Sequence, residues 1–306
     1  MVIIDRSDTK RVIEKDGESM FLVKILFFLI VSLLYQLILT EGAWAWGPAI
    51  HTVIGCTILD ELSYILPPVA RVIQSFPLEY LYGSLSADFF VGKGQKRKDG
   101  HSHNWDTGFR FFEGAGDERE TAYAYGFLSH LAADVVAHNY YVPNLIHSVS
   151  RWKRMGHLYV EAKADHFVAP VYTRIARDLL TREELGCDEL LRSAVRTSRN
   201  GLKTRKHLFT QGVKLSDFLN GSQPTGLVRK GTRYQISPKY LNFMINLAYR
   251  LVRDFLTHTG SSPCLSYDPI GSRNLRLATR NGIFSKLFNL PRPMHPFDVD
   301  QELLEL

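Results

Sequence analysis

The sequence predicts an all-α protein, a compact bundle of roughly eight or more helices. Helix-start residues precede several segments in which apolar side chains recur with a period near 3.6, and no alternating apolar and polar run of strand length lies between them. With 306 residues, of which 45% are apolar and 22% charged, the chain can bury a substantial core. Disordered, collagen-like and disulfide-stapled classes are therefore excluded.

The first two predicted helices begin at a proline and at a group of acids. Pro77 is expected to open a helix that runs through Leu85, because proline is favoured in the first helical turn. Residues 117–120 place acids at the first turn of a longer periodic segment. We expect that helix to continue to Tyr141 and to end at Pro143.

Two further helix starts are predicted from capping patterns. Thr181 and Glu184 have the spacing of a capping box and precede a leucine-rich stretch. Ser237 and Pro238 precede a periodic apolar segment, for which Gly260 is the expected stop.

An apolar segment near the start of the chain is typical of a targeting sequence. Residues 21–39 are almost all apolar, and Ala43 and Ala45 form the A-x-A pattern that signal peptidase recognises. We therefore predict that residues 1–45 are a signal peptide, cleaved before Trp46, and that the chain is exported to the periplasm or secreted. An uncleaved membrane anchor is the alternative, because the apolar run is close to the roughly 20 residues that span a bilayer.

The rest of the predicted organisation follows from these boundaries. Residues 46–264 are expected to form one helical domain, and residues 265–306, which contain several prolines, an irregular tail. Residues 1–19 are either an extended region before the apolar segment or the result of a start misassigned upstream of Met20.

Composition restricts the partners and the metal ligands. The formal net charge is +6 and the isoelectric point about 9.1, which suits an anionic partner such as a phosphate, a nucleic acid or a lipid head group without selecting one. The three cysteines are widely spaced and form no CxxC pair, which argues against both a disulfide framework and a thiolate zinc site; they are Cys56, Cys187 and Cys264. Any metal is therefore expected to bind His, Asp and Glu.

Histidines are concentrated in one part of the chain. Seven of the eleven lie between His101 and His166. Within that region His130, Asp134 and His138 stand four residues apart, so a helix would place all three on one face. Because small apolar residues flank them, burying these polar groups without a partner would be costly, and we interpret them as metal ligands rather than as surface hydrogen-bonding groups.

The same pattern returns further along the chain. His157 and Glu161 are again four residues apart, and Asp165 follows one turn later. Two helices that present such stripes to each other could enclose metal ions inside a bundle. Further candidates lie upstream, at Asp88 in a turn and at His51; taken together, the residues suffice for more than one ion.

The order of these residues resembles the zinc-dependent phospholipase C family and the related fungal single-strand-specific zinc nucleases. The resemblance covers roughly residues 46–168, and it includes a tryptophan that signal cleavage would leave at the terminus. Its motifs are Trp46-Gly47, His51, Asp88, His103, His130-x3-Asp134, His138 and His157-x3-Glu161. His103 is preferred over His101 because the run from His103 to Asp106 matches the family's His-x-x-Asp stretch.

The resemblance implies an all-helical bundle of the zinc phospholipase C or zinc nuclease type that holds up to three zinc ions. The implied ligand groups are Trp46, through its α-amine and carbonyl, with His51; Asp88, His103 and His130, with Asp134 bridging to the first ion; and His138 with His157 and Glu161. An uncleaved chain would have an amide nitrogen at Trp46, which cannot act as an amine ligand. The resemblance also makes Asp88 the candidate for handling the proton of the attacking water.

Two features depart from the family's pattern. Only three residues separate Asp134 from His138, whereas the relatives have a longer gap. No acidic residue lies between Trp46 and His51, where choline-preferring phospholipases carry one, so selectivity for choline is not inferred.

The resulting prediction is an exported zinc-dependent phosphodiester hydrolase that cleaves a phospholipid, or another phosphodiester, with a metal-activated water. A phospholipid substrate implies peripheral contact with a membrane surface. Two alternatives stay open: a zinc-dependent single-strand nuclease, for which the partner would be a nucleic acid, and a non-catalytic exported metal-binding protein. The oligomeric state is not predicted.

Overall fold

The computed structural model describes residues 46–90, 101–148, 164–165, 167–182, 187–221, 237–287 and 296–306. These residues belong to one unit of the chain, and they contain helices and turns but no strand. The prediction of an all-α fold is confirmed.

Twelve α-helices lie within the described ranges. They are α1 (Pro48–Asp60), α2 (Pro67–Ser75), α3 (Pro77–Ser86), α4 (Trp105–Gly114), α5 (Glu118–Val136), α6 (Val142–Ser148), α7 (Pro170–Thr181), α8 (Asp188–Ala194), α9 (Arg199–Gly221), α10 (Pro238–Thr257), α11 (Ser272–Leu287) and α12 (Gln301–Leu304). Short 3₁₀ turns occur at Leu62–Tyr64, Ala87–Phe90 and Pro263–Ser266, and a π turn at Ala137–Tyr141.

Helix α5 is the centre of the bundle. Every residue from Gly126 to Val136 is buried, which is the behaviour of a helix covered on all sides. Helix α3 approaches it most closely, because both helices carry glycine at the contact. A Cβ on Gly83 would lie 2.2 Å from the carbonyl oxygen of Tyr123, and one on Gly126 would lie 1.9 Å from that of Tyr80. The two backbones therefore touch directly just before the turn at Ala87–Phe90.

Several of the predicted helix starts are observed. Helix α3 begins at Pro77 and α10 begins at Pro238, with Ser237 as its N-cap residue. The Asp117 side chain accepts a hydrogen bond from the backbone N–H of Glu120 at 2.8 Å and so caps α5. These signals act within one turn of helix, so the local sequence was enough to predict them.

Pro143 does not end the helical path, and that prediction was wrong. The π turn shifts the hydrogen-bond register after Val136, so that Pro143 falls in the first turn of α6, where its missing N–H leaves no bond unmade. The carbonyl of Asn139, four residues earlier, accepts the Asn274 side-chain amide at 2.8 Å instead.

The capping-box prediction at Thr181 was also wrong. Thr181 is the last residue of α7, and its hydroxyl donates to the carbonyl of Asp178 at 3.0 Å. The next helix begins at Asp188, seven residues after the predicted cap. Glu184, the predicted partner of Thr181, lies outside the described residues.

The segment 265–306 is not the irregular tail that its prolines suggested, because it contains α11 and α12. It packs on the bundle through reciprocal bonds at Asn144: the Asn144 amide donates to the carbonyl of Phe297 at 2.9 Å and accepts the N–H of Phe297 at 2.9 Å. Leu275 and Leu303 are buried. Its packing on the bundle agrees with one of the two arrangements that the sequence leaves open for this segment, which are a tail packed on the bundle and a tail that is partly loose.

The predicted signal peptide (1–45) lies outside the described residues. Of the helices in the described ranges, none combines the length and the apolarity needed to cross a membrane.

Candidate metal centre

Six of the predicted ligands converge in the interior of the bundle. They come from four separate stretches of chain and are all buried: His51 on α1, Asp88 on the 3₁₀ turn after α3, His103 just before α4, and His130, Asp134 and His138 on α5 and the π turn that follows it. The i, i+4 spacing on α5 and the following turn brings His130, Asp134 and His138 together, as the sequence predicted. The fold adds the other three.

The Asp134 carboxylate is the centre of the cluster. Its oxygens face the Nε2 atoms of four imidazoles, at 3.4 Å from His51, 3.3 Å from His103, 3.2 Å from His130 and 3.5 Å from His138. The rings of His51 and His130 are stacked, with centroids 3.9 Å apart. One carboxylate between four imidazoles is suited to bridge two cations.

Asp88 forms a second group with two of the same histidines. Its Oδ1 lies 3.5 Å from Nε2 of His103 and 3.6 Å from Nε2 of His130, and the two nitrogens are 3.2 Å apart. Two sets of three residues can each direct one ligand atom per residue toward a common ion. The first set is His51, His130 and Asp134, and the second set is Asp88, His103 and His130.

The donor atoms fit a zinc ion. In a tetrahedral site with metal–ligand bonds of about 2.0 Å, neighbouring ligand atoms lie about 3.3 Å apart, which is close to the separations observed here. Several donors are also buried without a hydrogen bond within the described structure, namely Nε2 of His51, Oδ2 of Asp88, Oδ1 of Asp134 and both ring nitrogens of His138. Buried polar atoms without partners are costly, and a cation would satisfy them.

Hydrogen bonds on the far side of the rings orient two of the imidazoles. Nδ1–H of His130 donates to the carbonyl of Ser84 at 2.8 Å. Because a carbonyl only accepts, Nδ1 carries a proton, and Nε2, which faces the carboxylates, is the nitrogen that a metal ion would bind. Nδ1 of His103 contacts the Ser102 hydroxyl at 3.0 Å, and the His103 backbone N–H donates to Nδ1 of His101 at 3.1 Å.

Burial and charge act in opposite directions on the pKa values of the cluster. Burial alone would raise the pKa of Asp134, but the surrounding imidazoles, His130 above all, hold it well below its usual range. Burial would lower the pKa of His103, yet its hydrogen bonds to Asp134 and Asp88 raise it to about 9. Burial and the neighbouring His130 lower the pKa of His51. Asp134 is therefore ionised, and the protonated His103 ring supplies a positive charge beside it.

The π turn that carries His138 is held by the C-terminal segment. The Asn139 amide donates to the carbonyl of Asp268 at 2.9 Å. Gly271 has a φ of +62° and packs so closely that a Cβ there would lie 2.2 Å from the His138 carbonyl oxygen. Local sequence patterns do not predict this support, because the contacts join residues more than one hundred positions apart.

Trp46 is buried beside the cluster. Its indole N–H donates to the carbonyl of Ala133, the residue before Asp134, at 3.1 Å, and its ring lies 4.6 Å from that of Tyr141. The side chain therefore anchors the start of the described chain next to the central carboxylate.

Asp165 is a residue of the site whose role the sequence did not reveal. The pattern placed it on a stripe with His157 and Glu161, but its carboxylate accepts the N–H groups of Ala49 and Ile50 in the first turn of α1. Burial raises the pKa of Asp165 to about 7. His157 and Glu161 lie outside the described residues, so the third predicted ligand group is seen only at His138.

The fold and the cluster define a helical protein with a buried site of imidazoles and carboxylates suited to a divalent ion. The chain belongs to the zinc-dependent phospholipase C family, whose model matches residues 50–207. It is therefore a phosphodiester hydrolase of the zinc-dependent class. No curated protein and no solved structure matched the chain in the corresponding comparisons.

Proposed function

We propose that this protein is an exported phospholipase C that hydrolyses the phosphodiester of a phospholipid, releasing diacylglycerol and a phosphorylated head group. The observation that carries the proposal is the convergence of four imidazoles on Asp134 in a chain of the zinc-dependent phospholipase C family. The positive net charge suits a phosphate-containing substrate at a membrane surface.

The proposed ligands form three groups. They are Trp46, His51 and Asp134; Asp88, His103, His130 and Asp134; and His138, His157 and Glu161. The two sets of three residues able to hold an ion support the first two groups. When bound, zinc supplies Lewis acidity at the phosphoryl oxygens and lowers the pKa of water toward 7.

Asp88 is the proposed proton acceptor. Its Oδ1 faces His103 and His130, while its buried Oδ2 has no hydrogen bond within the described structure. That second oxygen is able to accept a hydrogen bond from the attacking water and to hold its proton while the bond to the leaving oxygen breaks. Ser84, through its carbonyl, keeps a proton on Nδ1 of His130, so that Nε2 is the nitrogen available to an ion.

Cleavage before Trp46 belongs to the same proposal. The Trp46 indole is fixed beside Asp134, and a free α-amine at this residue would provide a ligand that a peptide nitrogen cannot. Mass spectrometry of the secreted product, combined with metal analysis, tests both parts. A chain that begins at Trp46 and contains zinc is expected, whereas an intact N-terminus in a fully zinc-loaded protein contradicts a ligand at the Trp46 amine.

The substrate is tested with purified zinc-loaded protein on phosphatidylcholine, phosphatidylinositol and single-stranded DNA. Diacylglycerol release from either lipid is expected, together with its loss in Asp88→Asn and its retention in Asp178→Asn, an exposed residue on α7. Cleavage of DNA alone would instead support the nuclease alternative, and zinc content without hydrolysis of any substrate would support a non-catalytic metal-binding protein.

A further inference from the structure

Helix α9 exposes three large apolar side chains on one side. Leu208, Leu215 and Phe218 are 47%, 50% and 69% exposed. At about 100° per residue they fall within about 80° of one another around the helix axis. The opposite side is buried in the core through Leu202, Phe209 and Val213. The exposed residues therefore form a second apolar face of α9, separate from the face that packs in the core.

Basic residues border this apolar face. Lys203 and Lys214 are exposed and lie along one edge of this face, within about 60° of Phe218 around the helix axis. The single acid of α9, Asp217, lies beyond the lysines, about 100° from Phe218, and is paired with Arg177 of α7. The outer face of α9, defined as Leu208, Leu215 and Phe218 with Lys203 and Lys214, thus combines apolar and positively charged groups and contains no carboxylate.

The inner side of the same helix packs on the turn that carries Asp88. The ring of Phe209 lies 5.4 Å from that of Phe89, and the Arg205 guanidinium lies 5.8 Å from the centre of the Phe90 ring. Phe89 and Phe90 directly follow Asp88 on the 3₁₀ turn. A surface bound to the outer face of α9 is therefore separated from the turn that carries Asp88 by the thickness of this one helix.

We propose that the outer face of α9 docks the protein on an anionic phospholipid surface. Apolar side chains that enter the acyl boundary, bordered by lysines that reach phosphate groups, are typical of a helix lying in the membrane interface. The proposal rests on the lipid hydrolysis proposed above and adds the surface through which the lipid is met. Of this face only Lys203 lies within residues 50–207, so the family match does not include its apolar residues or Lys214.

The test is flotation of the full chain with vesicles of phosphatidylcholine, either pure or containing roughly a third phosphatidylserine. Lys203→Gln with Lys214→Gln is expected to weaken partitioning onto the anionic vesicles roughly 25-fold, and Leu215→Ser with Phe218→Ser at least about tenfold. The matched control on α10 is Lys239→Gln with Phe243→Ser, since Lys239 is exposed and Phe243 is 43% exposed. The control is expected to bind like the wild type. All variants share residues 1–45, so any binding by that apolar segment is constant, and thermal melts verify that each variant folds.

Hydrogen exchange with and without vesicles locates the contact. Vesicle-dependent protection of residues 203–218 that disappears in the α9 variants supports the proposal. Equal partitioning of wild type and α9 variants overturns it, and so does a dimer in solution that the Leu215→Ser and Phe218→Ser variant converts to monomer. Because the readout is binding, its failure is distinct from that of the proposed function: binding without diacylglycerol release contradicts only the hydrolysis.

Discussion

The Asp165 carboxylate accepts the backbone N–H of Ile50 at 3.2 Å, although 115 residues separate the two in sequence. It also accepts the N–H of Ala49 at 3.1 Å, and it lies so close to Gly47 that a Cβ there would be 2.2 Å from Oδ2. The N-terminus of α1 has no side-chain cap of its own, so Asp165 performs that role from a distant part of the chain. This contact positions the helix that carries His51.

Replacing Asp165 by Ala is expected to lower the free energy of unfolding by about 1–3 kcal/mol, because two buried N–H groups lose their acceptor. Asp178→Asn on α7 is the control, since Asp178 is exposed and bonds only locally to Arg177. Chemical denaturation measures both. Equal stability of Asp165→Ala and wild type would show that the cap contributes nothing.

Asp165 also predicts a pH dependence of stability. Burial raises its pKa in the folded protein to about 7, whereas the ordinary value of the carboxyl is 3.8. The folded state then binds the proton more tightly, so stability falls as pH rises from about 4 to about 7, by at most about 1.4 kcal/mol per pH unit from this group. Asp165→Asn is expected to remove this part of the slope in denaturation curves recorded across the window. A wild-type slope that persists unchanged in Asp165→Asn would assign it to other groups.

Asp134→Asn tests the centre of the site. The variant loses the carboxylate that faces four imidazoles, and we expect its zinc content to fall sharply and its hydrolytic rate to fall at least about a hundredfold. Metal analysis after dialysis and thermal melting with and without zinc are the measurements. Asp178→Asn on α7 serves as the exposed control. If zinc content and melting temperature both stay at the wild-type level, the buried cluster is not the metal site.

Zinc uptake by the metal-free protein is expected to release protons. Although burial lowers the pKa of His103, its bonds to Asp134 and Asp88 raise it to about 9, so the ring is protonated at neutral pH and must lose that proton to bind an ion. The apparent affinity should therefore rise by about tenfold per pH unit for each proton released, up to about pH 9. The stability that protonated His103 contributes to the metal-free protein is complete below about pH 6.5 and is lost as pH rises through 9.

Calorimetry of zinc binding in two buffers with different ionisation enthalpies measures the proton release directly. His258→Gln, an exposed histidine paired with Asp254 on α10, should release as many protons as the wild type. An uptake heat that is independent of the buffer at pH 7 would mean that the His103 ring is already neutral.

Substitution by alanine is expected to change stability in opposite directions at two glycines, one at the close contact of α3 with α5 and one on the exposed side of α9. Gly126→Ala is expected to cost at least about 2 kcal/mol, because its Cβ would overlap the Tyr80 carbonyl oxygen, which belongs to rigid backbone. Gly212→Ala on α9 meets no atom within 4 Å and should stabilise the helix by up to about 1 kcal/mol. Thermal denaturation distinguishes them, and a Gly126→Ala protein as stable as wild type would contradict the packing described here.

Local patterns predicted those parts of the structure that depend on neighbours within a few residues. The N-cap at Asp117 and the helix starts at Pro77 and Pro238 are of this kind. The π turn before Pro143 and the helices of the C-terminal segment were not predicted, because bonds from Asn274 and Phe297 to distant residues stabilise them. Pro143 suggested the end of a helix, and the several prolines of residues 265–306 suggested an irregular tail.

The sequence by itself determined the helical class of this protein and the chemical nature of its site. Imidazoles and carboxylates at i, i+4 on one apolar helix, with His130 and Asp134 among them, restrict the chemistry to cation binding, since the helical repeat alone brings them together. Only the tertiary structure decided that His51, Asp88 and His103 meet the same carboxylate and that Asp165 holds α1 in place. Those contacts join segments that are far apart in the sequence. Burial of the core brings these segments together, and no short-range spacing does so.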